Sequence, residues 1–390
     1  MSERETVERR ARVALSFLAQ PGDPVLGAAL RTRTAAGLLA EISGADSGGY
    51  FLLSDTAPDA AVARALPRWR DRLGDIPSVA RLAAWQQSGL RLVLPGDAEW
   101  PTQLDDLGDA RPIVLWLRGI ADLRFACLNS VSIVGSRAAS AYGNHVALEM
   151  AATLAERGTA IVSGGAFGID SSAHRGALAA DGTTVAVLAG GLEFAYPRGN
   201  ADLFQAIAGQ GVLVSECPPD RGPTRPGFLV RNRIIAALTR GTVVVEAALR
   251  SGALNSARHA RDLCRPVMAV PGPVTSEHSA GCHELIRDYG AMCVTCAADV
   301  AAQLDLRGEN LAGLRLGPPT ARDLLDPAAV AVLEVVPLRG GRGPASIAVR
   351  AGVDFDTALR CLGILAAKGF VERTAAGWRT VKSDQADRPA

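Results

Sequence analysis

The sequence predicts a doubly wound α/β fold, and three observations carry that expectation. Seven short apolar runs follow one another between Val131 and Thr295. Nearly all are continuous in hydrophobicity, not alternating, as parallel strands buried on both faces are. The stretches between them are long enough for crossover helices, for example Asn144–Arg157 and Ala253–Cys264. The runs are Val131–Val134, Ala160–Ser163, Val185–Leu188, Val212–Ser215, Thr242–Glu246, Val267–Val270 and Met292–Thr295.

The flanks read differently. Residues 1–95 are Ala-, Leu- and Arg-rich, with helical spacing at Val13 and Phe17, at Ala36, Leu39 and Ile42, and at Leu66, Trp69 and Leu73. Pro21-Gly22, Gly48-Gly49 and Pro77 break this segment, which reads as a small helical domain. Residues 96–305 form the α/β domain, opening with the breakers Pro95 to Pro101, and residues 306–325, with Gly313, Gly317, Pro318 and Pro319, read as a linker. Residues 326–382 then give a helical run to Val336, a second at Pro344–Arg350, the turn Ala351-Gly352-Val353, a helix from Asp354 to Lys368 and a hairpin from Gly369 to Arg379. Helix, helix–turn–helix and wing make a winged-helix pattern. Residues 383–390 form a tail.

The chain has 390 residues, with 41 basic against 40 acidic side chains, so no global field advertises a polyanionic partner. A hydrophobic fraction of 48% excludes a disordered chain. The first ten residues carry charges of both signs and no apolar stretch, and no run reaches the roughly 18–20 residues of a bilayer span. Seven cysteines, an odd number, do not form a secreted disulfide framework. A cytoplasmic protein without a membrane partner is expected.

Ligands of open parallel sheets bind at the carboxyl ends of the strands. There the chain places Gly135-Ser136-Arg137, then Gly164-Gly165-Ala166-Phe167-Gly168-Ile169-Asp170, then Gly190-Gly191 with Tyr196 to Asn200 beyond. Such glycines either permit tight turns or let backbone N–H groups approach an anion. Three loops on one edge, one with an arginine, favour the anion. None has the dinucleotide spacing G-x-G-x-x-G. The segment Arg225-Pro-Gly-Phe228-Leu-Val-Arg231-Asn232-Arg233 adds three arginines, an asparagine and an aromatic at a helix start. Phosphates would meet Arg225, Arg231 and Arg233 while a base stacks on Phe228, the way single strands are held without sequence preference. The competing reading makes Arg231 and Arg233 structural ion pairs and Phe228 a core residue. From Arg225 to Arg265 there are eight arginines against Glu246 and Asp262, a local balance of +6.

Two other constellations are weaker. Cys293-Val-Thr-Cys296 is a lone CxxC near Cys282, His278 and His283. Positions i and i+3 on a strand face opposite ways, so structural cysteines are favoured over a zinc site, and no metal is expected. Asp170 and His174 stand at i, i+4 and could form an acid/base pair, although a helix-capping Asp with a satisfied His is favoured. No nucleophile, base and orienter set is present, so neither catalytic residues nor a cofactor are expected.

The motifs Gly135-Ser-Arg, Ser163-Gly-Gly-Ala-Phe-Gly-Ile-Asp170, Ser215-Glu216, Arg231-Asn-Arg-Ile-Ile-Ala, Val245-Glu-Ala, Val270-Pro-Gly272 and Ser279-Ala-Gly281 occur in an order that resembles the DNA-processing protein A (DprA/Smf) family. The resemblance spans about Val131 to Thr295. It implies an extended Rossmann-like sheet flanked by an N-terminal SAM- or helix-hairpin-helix-like domain and a C-terminal winged helix. It further implies a cytoplasmic, typically dimeric, non-enzymatic protein that binds single-stranded DNA and helps load the RecA recombinase in natural transformation. By motif, the DNA-binding residues would be Ser136, Arg137, Gly164, Gly165, Gly168, Arg225, Phe228, Arg231, Asn232 and Arg233. The chain departs from common family usage at Leu229, Ala253 and Cys282. A second reading, a nucleotide phosphoribohydrolase of the lysine-decarboxylase-like Rossmann group, rests on a glycine-rich cradle followed by Glu246, without that group's Pro-Gly-Gly-x-Gly-Thr motif. A third makes the winged helix a duplex reader, although Asp354 and Asp356 at its recognition helix favour a protein contact.

Overall fold

The computed structural model describes residues 3–44, 59–194, 196–304 and 320–381. The Gly48-Gly49 break, most of the expected linker and the tail lie outside these. The chain divides into two compact units, Met1–Leu311 and Ala312–Ala390.

The first unit opens with five helices, α1 (Glu3–Leu18), α2 (Pro24–Thr32), α3 (Ala35–Ser43), α4 (Asp59–Arg70) and α5 (Val79–Gln87). Leu15, Leu18, Leu38, Ile42, Leu66 and Trp69 close around one another as their core. Strands and helices then alternate: β1 (Arg91–Val93), β2 (Leu115–Gly119), α6 (Leu123–Leu128), β3 (Ser130–Val134), α7 (Ala141–Glu156), β4 (Ala160–Ser163) and α8 (Ile169–Ala179). They continue as β5 (Thr184–Leu188), α9 (Ala201–Gln210), β6 (Val212–Ser215), α10 (Arg225–Leu238), β7 (Thr242–Val244), α11 (Gly252–Asp262), β8 (Val267–Ala269), α12 (Glu277–Tyr289), β9 (Met292–Cys293) and α13 (Ala297–Leu304).

All nine strands form one sheet in the order β1-β2-β6-β5-β4-β3-β7-β8-β9. The seven from β6 to β9 run parallel and correspond to the seven apolar runs. The cause is burial on both faces. Val185 and Val187 of β5 point into a core shared with Ile234, Ile235 and Leu238 of α10. Ala186 and Leu188 point the other way, onto Leu203, Phe204 and Ile207 of α9. Val185 to Leu188 are therefore all apolar.

Two edge strands extend the sheet antiparallel: β1 pairs with β2, and β2 with β6. Arg91–Val93, grouped with the helical segment in the sequence, is thus part of the sheet. The helical module packs directly on this extension. Trp116 of β2 is fully buried, with Trp85 of α5 at 5.6 Å and Phe17 of α1 at 6.4 Å between ring centroids.

The second unit contains α14 (Pro327–Val335), α15 (Pro344–Ala351), α16 (Phe355–Ala367) and an antiparallel hairpin, β10 (Val371–Thr374) and β11 (Gly377–Thr380). Val332, Ile347, Leu362, Leu365 and Phe370 form its core. Gly352, at φ +67°, makes the left-handed turn that ends α15. Asp354 caps α16 by accepting the Thr357 N–H at 2.8 Å, so this acid belongs to the helix start.

Candidate nucleic-acid interface

Strand numbers rise from β3 through β6 in one direction and from β7 to β9 in the other. The order reverses between β3 and β7, and a crevice opens at the carboxyl ends of such a pair. A cavity of about 660 Å³ lies there. Its walls are the segment Val134–Arg137 after β3, the segment Ala248–Ala253 after β7, and the first turns of α10. The start of α11, with Ser251 as its N-cap, adds the positive end of a helix dipole. Four arginines, Arg137, Arg225, Arg231 and Arg250, line it against one carboxylate, Asp170. The cavity is cationic although the chain is nearly neutral.

Arg137 and Arg225 are exposed, and Arg137 lies over the face of Phe228 with its guanidinium carbon 4.5 Å from the ring centroid. Tyr196 stands 5.7 Å from the same ring at a tilt of 52°. Arg231 is buried. Its Nη1 donates to the Gly164 carbonyl at 2.7 Å and to that of Val187, so it ties the ends of β4 and β5 together. Burial pushes its pKa down to about 10, opposed by Asp170, and it stays charged at neutral pH. Asn232 donates to the Gly252 carbonyl and the Asn255 side chain, which joins α10 to the start of α11.

Asp170 and Asn200 hold the glycine loop from two sides. Asp170 accepts the N–H groups of Gly164 and Ala166 at 3.2 and 3.3 Å. Asn200 donates to the carbonyls of Gly165 and Ala166 and to the Ser171 hydroxyl. Burial raises the Asp170 pKa, against the opposing pull of Arg231 and these N–H donors.

Several site residues expected from sequence therefore sit elsewhere. Gly164, Gly165 and Gly168 do not line the main cavity, although Gly164 lines a smaller cleft beside it, and two of the loop's N–H groups face Asp170. The glycines are spacers. A Cβ at Gly164 would stand 2.3 Å from the Arg231 guanidinium, and one at Gly168, whose φ is +74°, would stand 2.3 Å from the Ser136 carbonyl.

Arg233 is directed away from the cavity. Residues two apart on a helix project about 200° apart, so Arg231 and Arg233 cannot share a face. Arg233 Nη2 donates to both carboxylate oxygens of Glu216, at 2.8 and 2.7 Å, and Glu216 also accepts the Gly22 N–H at 2.9 Å. This buried pair ties α10 to the α1–α2 loop. Burial raises the Glu216 pKa, and Arg233 counters it.

Other chemistry-bearing residues are occupied. Glu246 accepts the Ser140 N–H at 2.9 Å and its hydroxyl at 2.5 Å, at the N-terminus of α7. His174 Nδ1 meets the Thr184 hydroxyl at 2.7 Å, so its bond is to β5 and not to Asp170. Cys293 ends β9, and Cys282 is buried under the Val244 carbonyl. No cluster of three or more His, Cys, Asp or Glu suited to a metal occurs among the described residues.

Residues 91–305, which contain the whole sheet and this cavity, match the family of DNA recombination-mediator protein A. The chain belongs to that family. A Mycobacterium tuberculosis protein bearing the DNA processing protein DprA name is 47% identical over 306 residues, 76% of this chain and 78% of its own length. The Smf protein of Escherichia coli is 41% identical over 229 residues, 58% and 60% of the two chains. The crystal structure of Streptococcus pneumoniae DprA superposes with a TM-score of 0.61 at 33% identity, covering 75% of this chain and 96% of that one. A Helicobacter pylori DprA, solved for its single-stranded DNA binding mode, gives a TM-score of 0.50 at 31% identity, covering 55% and 95%.

Tyr196 and Arg250 were not singled out as ligands by sequence reasoning. Both follow strands whose place at the crevice depends on the strand order. Among the described residues no helix is long and apolar enough to cross a membrane.

Proposed function

We propose that this chain binds single-stranded DNA in the cavity between β3 and β7, as a recombination mediator that protects incoming strands and delivers them to RecA. The observation that carries the reading is the pairing of Arg137 with Phe228 on a cationic wall. Arginines there meet phosphate oxygens, and rings meet unstacked bases. Ser136, Arg137, Arg225, Phe228 and Arg250 are the contacts. Arg231, Asn232 and the glycines hold the wall in place. The single-stranded DNA binding mode of the Helicobacter pylori relative supports the same ligand.

The activity is binding without catalysis, in a cytoplasmic homodimer. The phosphoribohydrolase reading is disfavoured because its general base would be Glu246, which is engaged at the start of α7. The C-terminal unit serves a protein contact, since Phe355 and Leu359 are 48% and 41% exposed beside Asp356 on its second helix-turn-helix helix.

The test is RecA filament formation on long single strands, with and without the full chain. Wild type is expected to shorten the nucleation lag, and Arg137→Ala to lose most of that effect. A lag unchanged by wild type counts against recombinase loading.

A further inference from the structure

We infer that the strand held between β3 and β7 runs on along α11 to a second contact, where Arg258 and Arg261 meet its phosphates beside an apolar hollow. The inference rests on the single-strand reading above and adds the path of the strand outside the main cavity. The hollow, of about 380 Å³, lies between α11 and α12 and extends from Leu249 to the starts of β8 and β9, at the edge of the sheet opposite the main cavity. Its volume falls within the range of ligand pockets.

The two hollows adjoin. One segment, from the end of β7 into α11, serves both: Ala248, Arg250 and Ala253 line the main cavity, while Leu249 and Leu254 line the second. The helix α11 is about 16 Å long, with its first turn at one site and its last at the other. A strand leaving the main cavity over Arg250 therefore meets the second hollow at the next side chain. Leu249 and Tyr289 line it and are 59% and 48% exposed, and exposed apolar surface gathered at one place marks a binding site.

The charge on this face is cationic and unspent. Leu254, Arg258 and Arg261 follow one another at intervals of four and three, so they share one side of the helix. Arg265, also on the wall, is occupied: it donates to the Ala236 carbonyl at 2.9 Å and pairs with Asp106 at 3.0 Å. Arg258 and Arg261 are exposed and make no ion pair among the described residues. Like charges at that spacing disfavour the helix, and an anion between them removes the cost. Glu284 is the one carboxylate on the wall. Arg261 also lies over the Tyr289 ring, with its guanidinium carbon 5.0 Å from the centroid. That repeats the pairing of Arg137 with Phe228, a charge beside a ring, which suits the phosphate and base of one nucleotide. The remaining floor, Leu249, Leu254, Leu285 and Met292, is apolar and accepts unstacked bases without reading them. Continuity with the main cavity and this repeated pairing favour a nucleic acid strand over a protein segment.

The experiment compares the full chain on oligo(dT) of about 5 and about 16 nucleotides, the two ends of the usual range of single-strand sites. The double variant Arg258→Ala/Arg261→Ala is expected to bind the short strand as wild type does and the long strand about tenfold more weakly. Its log–log salt slope on the long strand should be smaller in magnitude by about 1.4, two phosphate contacts. Arg137→Ala should weaken both lengths. Wild-type affinity and slope of the double variant on the long strand overturn the second contact and leave the cavity reading standing, as does an equal loss on both lengths. A wild-type chain that binds neither length overturns the cavity reading itself. Cys264 is exposed and lines the hollow, so its thiol supplies a readout that needs no variant. Alkylation of Cys264 by iodoacetamide, followed by peptide mass spectrometry, is expected to slow under saturating long strand and not under short strand. Equal rates with and without the long strand overturn the second contact and leave the hollow to a different occupant.

Discussion

The guanidinium carbon of Arg137 lies over one face of Phe228, 4.5 Å from the ring centroid, at the mouth of the crevice between β3 and β7. One residue follows β3 and the other opens α10, so the contact joins a charge and a ring from segments about 90 residues apart. The stack holds an otherwise mobile side chain where a phosphate can be met.

Arg137→Ala is expected to weaken binding to all single strands by about tenfold, the scale of one charge-assisted hydrogen bond. Loss of one phosphate contact also lowers the magnitude of the log–log salt slope by about 0.7. Fluorescence anisotropy at several salt concentrations reads both. An unchanged slope removes Arg137 from the phosphate path.

Arg233 behaves differently, because it faces Glu216 and not the cavity. Arg233→Ala leaves a buried carboxylate without its cation and is expected to destabilise the fold by about 3–5 kcal/mol. Affinity per folded molecule should be near that of wild type. Denaturant unfolding and stoichiometric titration with single strand separate the two effects; a large affinity loss at full stability would place Arg233 in the site after all.

Gly168→Ala probes the spacer role of the glycine loop. The residue sits at φ +74° with the Ser136 carbonyl 2.3 Å from where a Cβ would be. The backbone strain is about 1–3 kcal/mol. Relief requires Ser136 and Arg137 to move, so stability and single-strand affinity should fall together. Thermal melts combined with binding check this, and intact affinity would show that the Ser136–Arg137 turn is not set by Gly168.

His174 gives a pH signature. It is fully buried, and burial, helped by the charge of Arg231, pushes its pKa down to about 3 from the ordinary 6.5. The unfolded chain therefore binds the proton more readily than the folded one. The stability this group contributes is complete above pH 6.5 and is lost as pH falls towards 3, at up to about 1.4 kcal/mol per pH unit. Asp170 and Glu216, with raised pKa values, act with the opposite sign. The difference between wild type and His174→Gln isolates the histidine, and a variant with the wild-type pH slope of unfolding free energy would contradict it.

The parallel strands were legible because burial on both faces writes itself as mostly apolar, non-alternating runs. The antiparallel extension was not: Arg91–Val93 is three residues long and continues the Leu/Arg texture of the helices before it. At the site, Arg137 and Phe228 could be read from their loop and helix start. The Arg231-Asn232-Arg233 run misled because a charge count ignores the helical period, which sends Arg233 to the opposite face. Arg250 and Tyr196 required the strand order. The glycines looked like ligands, yet they make room for Arg231 and Ser136.

A single measurement bears most directly on the central claim: the salt dependence of binding by the full chain to oligo(dT) and to duplex of equal length, in wild type and Arg137→Ala. Binding of single strands in the β3–β7 cavity predicts preference for oligo(dT), a steep linear slope in log[salt], and a shallower slope in the variant. Equal affinity for both DNA forms, with identical slopes in the two proteins, would contradict it.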